Sequence, residues 1–143
     1  MDIAHLIADR DPDAIVSCNT SHSVRDAVKL LAEKRIGAIP VMQDGSVAGI
    51  FSERDVLYRL ADEGALCLDK TVGEVMTSPP ITCAADMSAN QALALMTRRR
   101  IRHLPVVDGS QMVGFISIGD IVKGRIDEVT EEAEQMRQYI QTA

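Results

Sequence analysis

Three absences narrow the classes of protein to which this chain can belong. It has no tryptophan and only 3% aromatic residues, so it lacks the stacking platform on which proteins hold single-stranded nucleic acid. Its three cysteines contain no CxxC pair, which argues against a disulfide framework or a zinc site and favours a reducing compartment. No apolar run approaches the roughly 20 residues that a membrane-spanning helix needs. We therefore expect a cytoplasmic protein with neither nucleic acid nor membrane as a partner.

The rest of the composition is typical of a globular domain. The 143 residues are 46% hydrophobic and 25% charged, with a formal net charge of -6. A chain of this length can bury roughly two-thirds of the surface that its unfolded form exposes, so it can build a core in one or two small domains. The negative charge also argues against a surface that binds polyanions as a whole.

The chain contains an internal repeat. At a shift of 65 residues, positions 14–60 align with positions 79–125 without a gap. The two copies leave residues 61–78 as a linker and residues 126–143 as a helical extension. Identical pairs include Gly49 with Gly114, Ser52 with Ser117, and Asp55 with Asp120.

Each copy has the pattern of a strand, a helix, two strands and a second helix. The first strands are predicted at 14–18 and 80–83, and Asp-Gly pairs at 44–45 and 108–109 are typical of hairpin turns. One such unit is too small to bury its own faces. We therefore predict an α+β fold in which two β-α-β-β-α repeats pack about a pseudo-twofold axis, as a single module over residues 1–143.

The last helix continues beyond Arg125, because no helix breaker follows it. Its apolar residues recur at alternating spacings of four and three, which is the pattern of a coiled coil. This apolar seam could dock on its own domain or pair with a second copy, and the sequence leaves both interpretations open. The seam consists of Val122, Ile126, Val129, Ala133, Met136 and Ile140.

Ser52 and Asp55, and likewise Ser117 and Asp120, stand at the start of the second helix of each copy. Ser-x-x-Asp is a capping box, and the serine cap is worth on the order of 1 kcal/mol. The other two helices begin with a similar cap, so capping alone does not identify a ligand site. A serine hydroxyl and a carboxylate at the mouth of a cleft could also accept both hydrogens of a ribose diol.

The segments GIFSERD at 49–55 and GFISIGD at 114–120, each preceded by an apolar strand with proline (AIPVM and HLPVV), resemble the CBS domain, named after cystathionine beta-synthase. The layout is similar to small stand-alone bacterial CBS-pair proteins. The resemblance implies a Bateman module, which commonly forms a homodimer and binds AMP, ATP, NAD(H) or S-adenosylmethionine between the repeats. It also implies that the two Ser-x-x-Asp pairs are ribose clamps.

A basic cluster occupies residues 98–103 of the second copy. Its first two arginines are interpreted as solvating the end of a helix, where they favour the dipole. In related AMP-sensing modules of the kinase gamma type, basic residues just before Leu-Pro reach the ligand phosphates, so the resemblance points to Arg102 and His103. The first copy has Gly37 and Ala38 at these positions, so the two clefts cannot be equivalent.

Several further residues are weaker candidates. Thr20 is a candidate polar contact, although its counterpart Ala85 has no hydroxyl. Gly49 and Gly114 are expected to let a ligand approach the backbone. Arg54 and Arg59 follow the first clamp on its helix and could reach a phosphate from a neighbouring site, but we interpret them as solvated helix charges. The residues expected to wall an adenine pocket as well as the core are Ile39, Pro40, Leu104 and Pro105.

No nucleophile, metal or P-loop motif is present, so we do not expect an enzyme or a catalytic cofactor. The sequence predicts a regulatory module that binds an adenine nucleotide, most simply AMP or ATP, and modulates a partner protein of unknown identity. The alternative is a constitutive dimerising adaptor without a small-molecule ligand, in which the Ser-x-x-Asp pairs are caps only.

Overall fold

The computed structural model describes residues 1–142. Two short 3-10 helices, Pro12–Ala14 and Gly64–Asp69, accompany the regular elements. In chain order these elements are α1 (Ile3–Ile7), β1 (Cys18–Asn19), α2 (Val24–Lys34), β2 (Ala38–Gln43), β3 (Ser46–Ser52), α3 (Glu53–Glu63), α4 (Val72–Val75), α5 (Ala89–Arg99), β4 (His103–Asp108), β5 (Gln111–Ser117) and α6 (Ile118–Thr142).

The two repeats share one strand arrangement. In the first, β1 runs parallel to β2, and β2 pairs antiparallel with β3. In the second, β4 pairs antiparallel with β5, and Cys83 forms a single parallel bridge to Val106 that matches the pairing of Cys18 with Val41. Strands β3 and β5 contact each other between the repeats. The predicted α+β repeat architecture is confirmed.

The first strand of each repeat is shorter than predicted. Residues 12–14 form a 3-10 helix and β1 has only two residues, while the second copy keeps only the bridge at Cys83. Pro80 contributes to this, because proline has no N–H to donate to a strand ladder. The second hairpin also turns at Gly109, whose φ is 62°, and Asp108 belongs to β4.

Each repeat has its own core, and the segment before each repeat packs into the core of the other. Val72 and Val75 of α4, which precede the second repeat, lie beside Phe51 in the first core. Ile3 of α1, which precedes the first repeat, is fully buried with Ile121 in the second core. The leader (residues 1–13) and the linker therefore tie the two repeats into one module.

Helix α6 leaves the domain after its first turns. Ile121 is buried, but Ile126, Val129 and Met136 are 59%, 56% and 60% exposed. The interpretation in which the apolar seam docks on its own domain is therefore wrong, because the helix extends away from the repeats and its side chains contact solvent. None of the helices within residues 1–142 is long and apolar enough to cross a membrane.

Candidate ligand-binding clefts

A cleft of about 610 Å³ lies between the two repeats and is lined by both of them. We call it the first cleft. The first repeat contributes Ser52 and Asp55, and the second contributes Arg102 and His103 at the start of β4. Thr77 of the linker closes one side together with Pro79 and Pro80, which directly follow the linker and which we call the linker prolines. The structure thus brings four of the predicted site residues together, and it does so across the repeat boundary.

Ser52 and Asp55 form the capping box of α3. The Ser52 hydroxyl accepts a hydrogen bond from the Asp55 backbone N–H at 3.3 Å, and the Asp55 carboxylate accepts from the Ser52 N–H at 2.9 Å. The other carboxylate oxygen accepts from the Thr77 hydroxyl at 2.9 Å. The predicted cap is confirmed. Thr77, which belongs to the linker, completes the set of polar groups around Asp55.

Three arginines, Arg54, Arg100 and Arg102, line the first cleft. The structure thus places Arg54 at the cleft, whereas Arg59 forms an ion pair with Glu63. His103 is half-buried, and its ring stacks on Phe115 with centroids 5.5 Å apart. Burial lowers its pKa, and although the carboxylates of Asp120 and Glu53 oppose this, the net shift stays below the ordinary value of 6.5. His103 is thus mainly neutral at pH 7 and can donate a hydrogen bond, while the positive charge comes from the arginines.

A second cleft, of about 590 Å³, contains the clamp of the second repeat. Ser117 caps α6, accepting from the Asp120 N–H at 3.1 Å, while the Ser117 N–H donates to the Asp120 carboxylate at 2.7 Å. Arg10 of the leader also lies here, 2.9 Å from the same carboxylate. Burial alone would raise the pKa of Asp120, but the hydrogen bonds and charge of Arg10, with those from Ser117, hold it below its usual range.

The two clefts differ in charge as well as in clamp geometry. Gly37 and Ala38 border both clefts, whereas Arg102 lines only the first. His103 borders both clefts. The part of the chain that the structure describes contains no cluster of three or more His, Cys, Asp or Glu side chains suited to a metal ion.

Comparison with known proteins agrees with this architecture. A profile of the CBS domain matches the chain twice, at residues 7–62 and 72–127. The chain belongs to the CBS-domain family. Among curated relatives of this CBS pair, the mitochondrial CBS domain-containing protein CBSX3 of Arabidopsis thaliana is 37% identical over 129 residues, which is 87% of this chain and 63% of that protein. The chain thus spans less than two-thirds of the length of that relative.

Solved structures share the fold over nearly the whole CBS pair. The CBS-domain containing protein ATU1752 from Agrobacterium tumefaciens is 35% identical with a TM-score of 0.82, over 87% of this chain and 99% of that one. The structure of CBSX2 in complex with AMP is 28% identical with a TM-score of 0.70, over 80% of this chain and 90% of that one. These similarities confirm the tandem CBS fold.

Some weaker candidates lie elsewhere in the CBS pair. Thr20 lines neither cleft. It lies beside α4, where its carbonyl oxygen accepts a hydrogen bond from the Gly73 N–H at 2.9 Å. Ile39 and Leu104 are fully buried core residues, and the apolar wall of the first cleft consists instead of Ile50, Ile81 and the linker prolines. The predicted adenine wall at these core positions, which include Pro40 and Pro105, is therefore wrong.

The predicted role is wrong for Gly49, which does not line the first cleft, whereas Gly114 lines the second cleft. A Cβ on Gly49 would lie 2.6 Å from the Thr77 carbonyl oxygen and 2.7 Å from the Met76 sulfur. A Cβ on Gly114 would lie 3.0 Å from Ile7. The linker thus fills the space beside Gly49, and Ile7 of the leader packs against Gly114 at the edge of the second cleft.

Sequence reasoning missed Thr77 and Arg10 as cleft residues. Neither lies in the repeated segments, so alignment of the two copies could not pair them with a counterpart. For Thr77 a signal was available, since the linker that joins two packed repeats has to pass along the boundary between them. For Arg10 the sequence offers only a charged residue in the leader, with no spacing that ties it to Asp120.

Proposed function

We propose that this CBS pair is a regulatory module that binds an adenosyl ligand in its first cleft and passes on the occupancy to a partner protein. AMP or ATP is the preferred ligand class, with NAD(H) or S-adenosylmethionine as further candidates. The observation that carries the proposal is the position of the Ser52–Asp55 clamp in the same cleft as Arg102. A ligand held by both would bridge the two repeats.

The ribose end of the ligand would bind at the clamp. Within residues 1–142, the hydrogen bonds that the Asp55 carboxylate accepts from side chains and from the Ser52 backbone all come from neutral donors, namely the N–H and hydroxyl of Ser52 and the hydroxyl of Thr77. Hydroxyls can reorient and act as acceptors, so a ribose diol can replace or join these hydrogen bonds without displacing a charged group. That the related CBSX2 was solved in complex with AMP supports this ligand class.

The phosphate end of the ligand would face the three arginines of the cleft. Guanidinium groups bind phosphate through paired, charge-assisted hydrogen bonds, so three of them favour a phosphorylated ligand. S-adenosylmethionine carries a positive sulfonium and lacks phosphate, which makes it the least favoured of the four. The linker prolines and Ile81 offer an apolar wall for the base.

Regulation would follow from the position of the cleft. A ligand that contacts both repeats binds best to one relative arrangement of them, so it shifts the population towards that arrangement. The shift would be read by a partner through the outer surface or through α6. No catalytic step is proposed.

Titration calorimetry with AMP tests the proposal. Asp55→Ala removes the clamp carboxylate, while Asp26→Ala, at the same position of α2, removes a carboxylate outside both clefts and serves as the control. A lost hydrogen bond to a charged group costs roughly 1.5–3 kcal/mol, so we expect Asp55→Ala to weaken AMP binding by about 10- to 100-fold. Absence of binding of AMP, ATP, NADH and S-adenosylmethionine to the wild type at millimolar concentration, or unchanged affinity in Asp55→Ala, would contradict the proposal.

We further propose a homodimer through the apolar seam of α6. The exposed residues of the seam share one helix face, and Glu131 lies on the opposite face. This observation also favours the adaptor as a second candidate function. Val129→Asn is expected to lower the dimer fraction in sedimentation velocity, and Glu131→Asn is expected to leave it unchanged. An adaptor without a ligand would lose the dimer in the same way but would bind no nucleotide.

A further inference from the structure

Arg10 of the leader reaches into the second cleft and covers its carboxylate. Its guanidinium contacts both oxygens of Asp120, at 2.9 and 3.3 Å, and also donates to the Phe115 carbonyl at 3.4 Å. Both side chains are partly exposed, at 44% for Arg10 and 29% for Asp120. The fork geometry of arginine matches a carboxylate in this two-point manner. The cleft itself stays open beside the pair.

The first cleft has no such cation on its clamp. There the equivalent carboxylate, Asp55, meets the Thr77 hydroxyl at 2.9 Å. A hydroxyl is both donor and acceptor and can turn towards an incoming ribose, whereas a guanidinium only donates and holds both carboxylate oxygens that a diol would use. The same Ser-x-x-Asp motif is therefore accessible in one cleft and occupied in the other.

The length of the leader explains how Arg10 gets there. Ile7 fills the space beside Gly114 as Met76 fills the space beside Gly49, so these two residues occupy equivalent places. From Ile7 to Cys18 the chain advances eleven residues, and from Met76 to the equivalent Cys83 it advances seven. The leader thus crosses the cleft boundary with four extra residues. Arg10 lies within this longer crossing.

We propose that Arg10 is an internal occupant of the second cleft, which keeps its ribose clamp closed to adenosyl ligands and limits the chain to one bound nucleotide. This inference rests on the proposed ligand class of the first cleft. It assigns to Arg10 the role of a specificity residue, because it makes two copies of one motif unequal. A nucleotide can enter the second clamp only when the Arg10 side chain has moved away from Asp120.

The stoichiometry of AMP binding tests the inference. In calorimetric titrations of the full chain we expect one AMP per wild-type chain and two per Arg10→Ala chain. In Asp55→Ala the first site is weakened, so the double variant Arg10→Ala/Asp55→Ala is expected to bind one AMP, in the second cleft. Arg25→Ala breaks the exposed ion pair with Asp69 outside both clefts and is expected to keep one AMP. Arg10→Gln is a second variant in case Arg10→Ala unfolds, which circular dichroism would reveal.

The outcomes separate this inference from the proposed function. A gained site in Arg10→Ala that survives in the double variant supports the inference, whether the wild type binds one AMP or none. No gain in either Arg10 variant overturns it, as does a wild type that already binds two AMP. A wild type that binds no nucleotide contradicts the proposed function, and the inference is then decided by whether removal of Arg10 creates a site.

Discussion

Replacing Arg35 or Arg100 with glycine should raise the free energy of unfolding. They follow α2 and α5 as C-caps in the left-handed conformation, with φ of 54° and 56°. This conformation costs a residue with a side chain roughly 1–2 kcal/mol. Glycine avoids that cost but gives the unfolded chain more freedom, which offsets about 0.4–1 kcal/mol. Within residues 1–142 neither guanidinium forms a hydrogen bond or ion pair, so little else is lost.

The expected gain for either variant is therefore about 0.5–1 kcal/mol in the free energy of unfolding. For a chain of this length this corresponds to a rise in Tm of about 2–3 °C, measured by scanning calorimetry. The two variants should differ in ligand binding. Arg100 lines the first cleft and Arg35 lines neither cleft. Arg100→Gly should thus gain stability and lose AMP affinity, by about 10-fold if one charged contact is removed.

Arg35→Gly is the control, because it tests the cost of the left-handed backbone at a position outside both clefts. Its Tm should rise and its AMP affinity should stay that of the wild type. A fall in Tm for Arg35→Gly would refute the reasoning on backbone strain. A rise in Tm for Arg100→Gly with unchanged affinity would keep that reasoning but remove Arg100 from the phosphate end of the cleft.

Three further predictions concern pH, packing and thiols. Because burial lowers the pKa of His103, the folded state binds the proton of this imidazole more weakly than the unfolded state does. Stability should therefore fall as the pH drops through about 6.5. His103→Gln should flatten the dependence of Tm on pH, whereas His5→Gln, at an exposed position, should not. Gly49→Ala should lower the free energy of unfolding in urea by about 1–3 kcal/mol, because the new Cβ would lie 2.6 Å from the Thr77 carbonyl oxygen. Gly119→Ala is the control and should not destabilise the protein, because its Cβ would have no contact nearer than 3.5 Å. All three cysteines are buried, and burial raises the pKa of the Cys18 and Cys83 thiols to about 11. Mass spectrometry should therefore find iodoacetamide labelling only after unfolding, and labelling of the native chain would contradict this.

The repeat made the architecture predictable. A gap-free register fixes Gly, Ser and Asp at equivalent places in both copies, and the Ser52 and Ser117 caps formed as predicted. Local sequence patterns did not predict the extent of the first strand of each repeat, because tertiary contacts determine it. The apolar residues before Cys18 and Cys83 have the sequence pattern of strands, but only a short part of each segment pairs with the neighbouring strand. Proline and the crossing of the chain between the repeats prevent longer pairing.

The site was predictable where it lies inside the repeats. The proximity of the first clamp to Arg102 follows from the pseudo-twofold arrangement, which places equivalent ends of both copies at one boundary. Arg10 was not predictable, because it belongs to a leader with no counterpart of equal length. Ligand contact by the seven sequence-predicted residues stays a prediction, as does the cytoplasmic location. Those residues are Thr20, Ser52, Asp55, Arg102, His103, Ser117 and Asp120.

The exchange of segments between the two cores has a consequence for biosynthesis. Ile3 is synthesised before both repeats, yet the core that receives it is not complete until Ile121 has been made. Because domains generally fold from the N-terminus during synthesis, α1 has to wait for the second repeat. The first repeat, by contrast, is complete once α4 has followed it. The docking of α1 should therefore be a late step in the folding of this CBS pair, after both repeats have been synthesised.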